Sequence, residues 1–112
     1  MTFFVLVSEQ GTAWVEGRSM REQEGWREHA TFVNSLVAEG FIIVAGPLGD
    51  GPPHRALVIV SSPGLSEARR RLEEDPWMRS GILRVGRLEP WKILASDDRL
   101  DRVLDEITRS TP

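Results

Sequence analysis

Three short runs of this chain, Phe3-Phe4-Val5-Leu6-Val7, Phe41-Ile42-Ile43-Val44-Ala45 and Ala56-Leu57-Val58-Ile59-Val60, are apolar at nearly every position. Each is too short for a stable helix and rich in residues that favour extended backbone, so each reads as a strand. Successive side chains of a strand point to opposite faces, and a sheet with one wet face therefore alternates apolar with polar residues. These runs do not alternate. Both faces of the sheet they build must be covered, which is the strongest single constraint on the fold.

The segments between the strands supply one cover. Ser19 and Glu22 have capping-box spacing, and Trp26, Ala30, Val33, Leu36 and Val37 then recur at three- and four-residue steps up to Gly40, with Phe32 widening the stripe. This predicts a helix over roughly residues 20–39. Gly46-Pro47 stops the second strand, and the turn-rich stretch Leu48 to Pro53 closes a hairpin into the third. Ser62-Pro63 looks like an N-cap with proline in the first turn, Leu65, Ala68 and Leu72 mark a buried stripe, and Asp75-Pro76 is expected to end that helix. Ile82 to Leu88 alternates imperfectly as a fourth strand, which Pro90-Trp91 is expected to interrupt.

The order strand, helix, strand, strand, helix, strand is that of the split βαβ unit, an α+β ferredoxin-like βαββαβ sandwich. Residues 1–95 form that domain, and 96–112 form a C-terminal extension in which Leu100, Val103, Leu104 and Ile107 trace a short amphipathic helix. Both main helices lie on one face of such a sheet. The C-terminal helix is short and heavily charged, so a second copy is the better cover for the other face, giving a homodimer or higher homo-oligomer.

At 112 residues, with 40% hydrophobic and 28% charged residues, the chain has the size and composition of one globular domain. A formal charge of -3 argues against nucleic acid and against an anionic membrane as partners. The absence of cysteine excludes disulfides, thiolate zinc sites and a cysteine nucleophile, and suits a cytoplasmic setting. The apolar start lacks the marks of a signal peptide, and no apolar run approaches a membrane span. No phosphate-binding loop and no metal-ligand spacing occur, and no cofactor is expected. The run Arg69-Arg70-Arg71 is interleaved with Glu67, Glu73 and Glu74 and reads as a solvated face.

Only two histidines are present. His54 sits in the proline-rich hairpin loop and reads as an exposed loop residue. His29 lies at the edge of the first helix's apolar stripe, where the commoner outcome is a partly buried, hydrogen-bonded histidine. Asp75, before Pro76, reads locally as a turn residue. The topology changes that weighting. The two helices of a βαββαβ unit run antiparallel, so the first half of one and the end of the other share a sheet edge, and His29 can approach Asp75. A carboxylate on one imidazole nitrogen fixes the tautomer and leaves the other nitrogen for acid-base work. Trp26, Phe32, Trp77 and Trp91 could wall a site for a planar or cyclic ligand, although core packing is expected for at least two of these positions. Gly46 and Pro47 would bring backbone to the same place.

Trp26-Arg27-Glu28-His29, Phe32, Leu36, Gly40, Ala45-Gly46-Pro47-Leu48 with Asp50-Gly51, Glu67-Ala68, and Asp75-Pro76-Trp77 before Gly81 form a pattern that resembles the YCII-related proteins over roughly residues 1–95. The resemblance implies a ferredoxin-like dimeric α/β barrel related to the muconolactone isomerase type, with an active site on His29 and Asp75. The stretch from Gly11 to Arg18 and the C-terminal helix are less typical of that family. The expected function is a cofactor-free enzyme that performs proton transfer, isomerisation or elimination on a small cyclic metabolite. The alternative is a non-catalytic module for small-ligand binding or assembly. A haem- or oxygen-using relative of the same barrel class is a third reading, with His29 its lone candidate ligand.

Overall fold

The computed structural model describes residues 1–109; residues 110–112, the end of the expected extension, lie outside the described residues. Strands β1 (Thr2–Gln10), β2 (Ile42–Pro47), β3 (Arg55–Ser62) and β4 (Leu83–Trp91) form one sheet in the order β2-β3-β1-β4. Every neighbouring pair is antiparallel. Helices α1 (Trp26–Ala38) and α2 (Leu65–Leu72), with a short α3 (Pro76–Ser80), pack on one side, and α4 (Asp98–Arg109) follows the last strand. This is the ferredoxin-like α+β arrangement expected from the element order.

The register sorts the apolar runs into two faces. Phe4 and Leu6 of β1 and Val60 of β3 join Leu36 of α1 and Ala68 and Leu72 of α2 in the main core. Each of the leucine, valine and phenylalanine side chains removed from water contributes about 1.5–3 kcal/mol. The alternate residues point the other way. Val5 pairs with Ile59 and Val7 with Leu57, while Phe3 lies between Ser61 and Trp91. Along this outer face Ile59 and Ser61 are buried, while Phe3, Val5, Val7 and Leu57 are only partly so; α4 buries none of its own residues, and its Leu104 lines a groove with Phe3 and Trp91.

The imperfect alternation of β4 has a local cause. Val7 pairs with Arg87 and Ser8 with Val85, so Gly86 is an extra residue bulged out of the ladder. A Cβ there would lie 2.7 Å from Glu9 side-chain carbons and 2.9 Å from the Val7 carbonyl oxygen, which leaves glycine as the residue that fits. The bulge resets the phase, so Leu83 and Val85 before it and Leu88 after it all face the helices. Pro90, expected to interrupt the strand, is instead part of it. As the last strand in the sheet β4 has a free edge, where a missing N–H breaks no ladder bond.

Three helix boundaries differ from the sequence expectation. The Ser19/Glu22 cap exists, with the Glu22 carboxylate accepting the Ser19 N–H at 2.9 Å, but it closes a single 3₁₀ turn over Met20–Glu22. Gly25, at φ 81°, then turns the chain, and α1 begins at Trp26. Helix α2 begins after Gly64, because Ser62 still belongs to β3 and spends its hydroxyl on the Gly64 carbonyl. It ends at Leu72, and Asp75 starts the next helix: its side chain accepts the Trp77 N–H at 2.9 Å as the N-cap of α3, with Pro76 in the first turn.

Candidate functional site

His29 lies on the stripe of α1 that faces the sheet, one turn after Trp26 and one before Val33. Asp75 is fixed by its capping role in α3, which packs on α1. The two side chains meet: His29 Nδ1 is 2.9 Å from Asp75 Oδ1 and 2.8 Å from Oδ2. Asp75 is only 5% exposed, and apart from the Trp77 N–H its carboxylate is committed to the imidazole. The second ring nitrogen of His29 has no partner among the described residues.

Trp77 does not stand where a cavity wall was expected. It is fully buried, with its ring stacked on His29 at 4.1 Å between centroids and 6° between planes, and its Nε1 donates to the Glu24 carbonyl at 2.7 Å. It is the floor under the imidazole. Gly25 lets the preceding turn come close, since a Cβ there would meet Trp77 Nε1 at 3.3 Å. Trp26 leans on both rings, 5.9 Å from His29 and 5.7 Å from Trp77. Trp91 stands apart at the end of β4, away from the site.

Above this floor, between α1 and the sheet, opens a cavity of about 330 Å³. Trp26, Phe32, Gly46 and Pro47 line it together with His29 and Asp75. Aliphatic side chains make up most of the remaining wall, and no lysine or arginine is among the lining residues. Ser8 lines it too, with a side chain that has no hydrogen-bond partner among the described residues. No group of three or more His, Cys, Asp or Glu side chains that could hold a metal ion occurs among the described residues. No described helix is long and apolar enough to cross a membrane.

The sequence reading misplaced one titratable residue of this cavity. His54, expected to be an exposed loop residue, is half-buried and lines it. Its backbone N–H donates to Gln10 Oε1 at 2.9 Å and its carbonyl accepts the Gln10 N–H at 3.1 Å, which extends the β1–β3 ladder by one position. Its ring stacks on Trp14 at 4.7 Å and 11°, and Trp14 meets Trp77 edge-on at 6.3 Å. Burial, and secondarily the charge of His29, pushes the His54 pKa below the usual histidine value. The signal was parity: residue 54 has the same parity as Ala56, Val58 and Val60, the helix-facing residues of β3.

No protein-family model matches the chain, and no curated protein matches it. Among solved structures it is similar to 5-chloro-2-hydroxyhydroquinone dehydrochlorinase (TftG) from Burkholderia phenoliruptrix AC1100, in complex with 2,5-dihydroxybenzoquinone, with a TM-score of 0.55 and 18% sequence identity. The match covers 83% of this chain and 95% of that one. At that identity the likeness is one of fold.

Proposed function

We propose that this chain, working as a pair of copies, binds a small hydroxylated ring and moves a proton on it without a cofactor, His29 acting as the base and Asp75 orienting it. The observation that carries this reading is the grip of both Asp75 oxygens on His29 Nδ1, at 2.8 and 2.9 Å, beside an apolar cavity of about 330 Å³. With its Nδ1 hydrogen given to the carboxylate, a neutral His29 keeps a lone pair on Nε2. When that nitrogen takes a proton from the substrate, the carboxylate balances the charge that forms. In an isomerisation the proton is returned at another ring position; in an elimination a leaving group departs with its bonding pair. The stacked Trp77 and the capping bond from the Trp77 N–H hold both partners in place.

The resemblance to the YCII-related proteins, which falls on His29 and Asp75, supports the same assignment. So does the fold shared with a dehydrochlorinase whose bound molecule is a dihydroxylated ring. Pairing of two copies through the outer sheet face is supported by the apolar positions Phe3, Val5, Val7 and Leu57, which are only partly buried within one copy.

The test is hydrogen-deuterium exchange at the ring carbons of hydroxyhydroquinone, followed by NMR in D₂O. The protein is expected to accelerate it, and His29→Gln to remove about 100- to 10,000-fold of that acceleration. Asp75→Asn is expected to lose a smaller factor at an unchanged melting temperature. Acceleration that survives His29→Gln overturns the catalytic reading, and ring binding without acceleration leaves a binding module in its place.

A further inference from the structure

Both histidines of the chain line one cavity, and only one of them has a carboxylate. His54 comes from the opposite wall of the fold, just before β3, whereas His29 comes from α1. Neither ring nitrogen of His54 has a hydrogen-bond partner among the described residues, although the residue is half-buried and its ring is held flat against Trp14. A half-buried imidazole without a protein partner keeps one donor and one acceptor open to whatever enters the cavity. Ser8, 2% exposed on the central strand, adds a hydroxyl to the same cavity.

We propose that His54 is a second substrate-contacting residue and that the site selects uncharged planar rings carrying oxygen substituents at two positions, one for His29 and one for His54. The proposal rests on the functional reading above and adds the substrate class. The lining excludes the main competitors. With no lysine or arginine on the cavity and its one carboxylate spent on His29, a phosphate or carboxylate substituent would be buried without a counter-charge. A hydroxyl or carbonyl oxygen needs only a neutral partner. Burial disfavours the charged form of His54, and a neutral imidazole offers one N–H and one bare nitrogen to either kind of oxygen. Trp14 fixes the plane of that ring, and Trp77, which Trp14 touches, fixes the plane of His29. The separation of the two contacts is thereby set by four touching rings, as selection by substituent position requires.

The experiment compares phenol with hydroquinone by calorimetric titration at pH 7. The wild type is expected to bind hydroquinone about tenfold more tightly than phenol, the worth of one added hydrogen bond. His54→Phe, which keeps the stack on Trp14 and loses both nitrogens, is expected to abolish that preference while leaving phenol affinity and melting temperature unchanged. His54→Gln, which restores a donor and an acceptor, is expected to recover part of it. A preference that survives His54→Phe, or an equal loss for both rings, overturns the proposal and leaves His54 a packing residue. Such a result beside His29-dependent proton exchange sinks this inference alone. A wild type that binds neither ring sinks it together with the reading it rests on.

Discussion

Leu6 and Val5 are neighbours on the central strand, yet they belong to different environments. Leu6 is buried against the helices in the main core, while Val5 points to the opposite face of the sheet, between Ile59 and Glu89. The helix-side face carries the core and every candidate functional group: His29 and Asp75 from the helical layer, Ser8 and His54 from the sheet. The outer face carries aliphatic rows edged by charge, with Glu89 beside Val5, Arg87 beside Val7, and the exposed pair Arg84–Glu9 at 3.1 Å. The same five-residue apolar run serves both, which shows what the missing alternation encodes. Half of it builds the core, and half lies on the face where we propose that a second copy docks.

The comparison is open to breaking at each face. The largest effect belongs to the helix side: Leu6→Ala is expected to cost about 2–5 kcal/mol of unfolding free energy in urea, independent of protein concentration. A loss that grows on dilution would mean that the core and the contact are not separate. On the outer face, Val5→Lys sets an ammonium beside Glu89 that a single copy leaves in water, whereas pairing over this face would bury it. The expected outcome in sedimentation is a dimer for the wild type and association weakened by at least about 100-fold in the variant. A wild type that sediments as a monomer at tens of micromolar ends the pairing proposal. The smallest effect is in acid. His54 has its pKa lowered in the folded chain, so between that value and about 6.5 the unfolded chain binds more protons. Its contribution to stability is complete above about pH 6.5 and is lost as pH falls through the folded value. The melting temperature of the wild type should fall over that window, and His54→Gln should remove this part of the slope.

How much of this was legible depended on whether local chemistry and tertiary role agreed. The strands announced themselves because composition and punctuation coincided, and the approach of His29 to Asp75 followed from antiparallel helices in a known element order. Asp75-Pro76 was ambiguous, since an aspartate before proline is as good at starting a helix as at stopping one, and only the Trp77 N–H decides between them. The Ser19/Glu22 cap was real but misled, because the left-handed Gly25 separates its turn from α1. His54 was lost to its surroundings: proline, glycine and arginine nearby suggest solvent, while the alternation of β3 places the residue inward. Trp14 left no trace at all, since nothing in an irregular segment predicts which ring will close over which.

The contact of His54, Trp14, Trp77 and His29 also gives the protein optical properties. An imidazolium accepts an electron from an excited indole and a neutral imidazole does so poorly, so Trp14 dims when the His54 ring stacked on it takes up a proton. Proton occupancy on that side of the cavity is therefore written into intrinsic emission, and replacing Trp14 removes the record without any added dye.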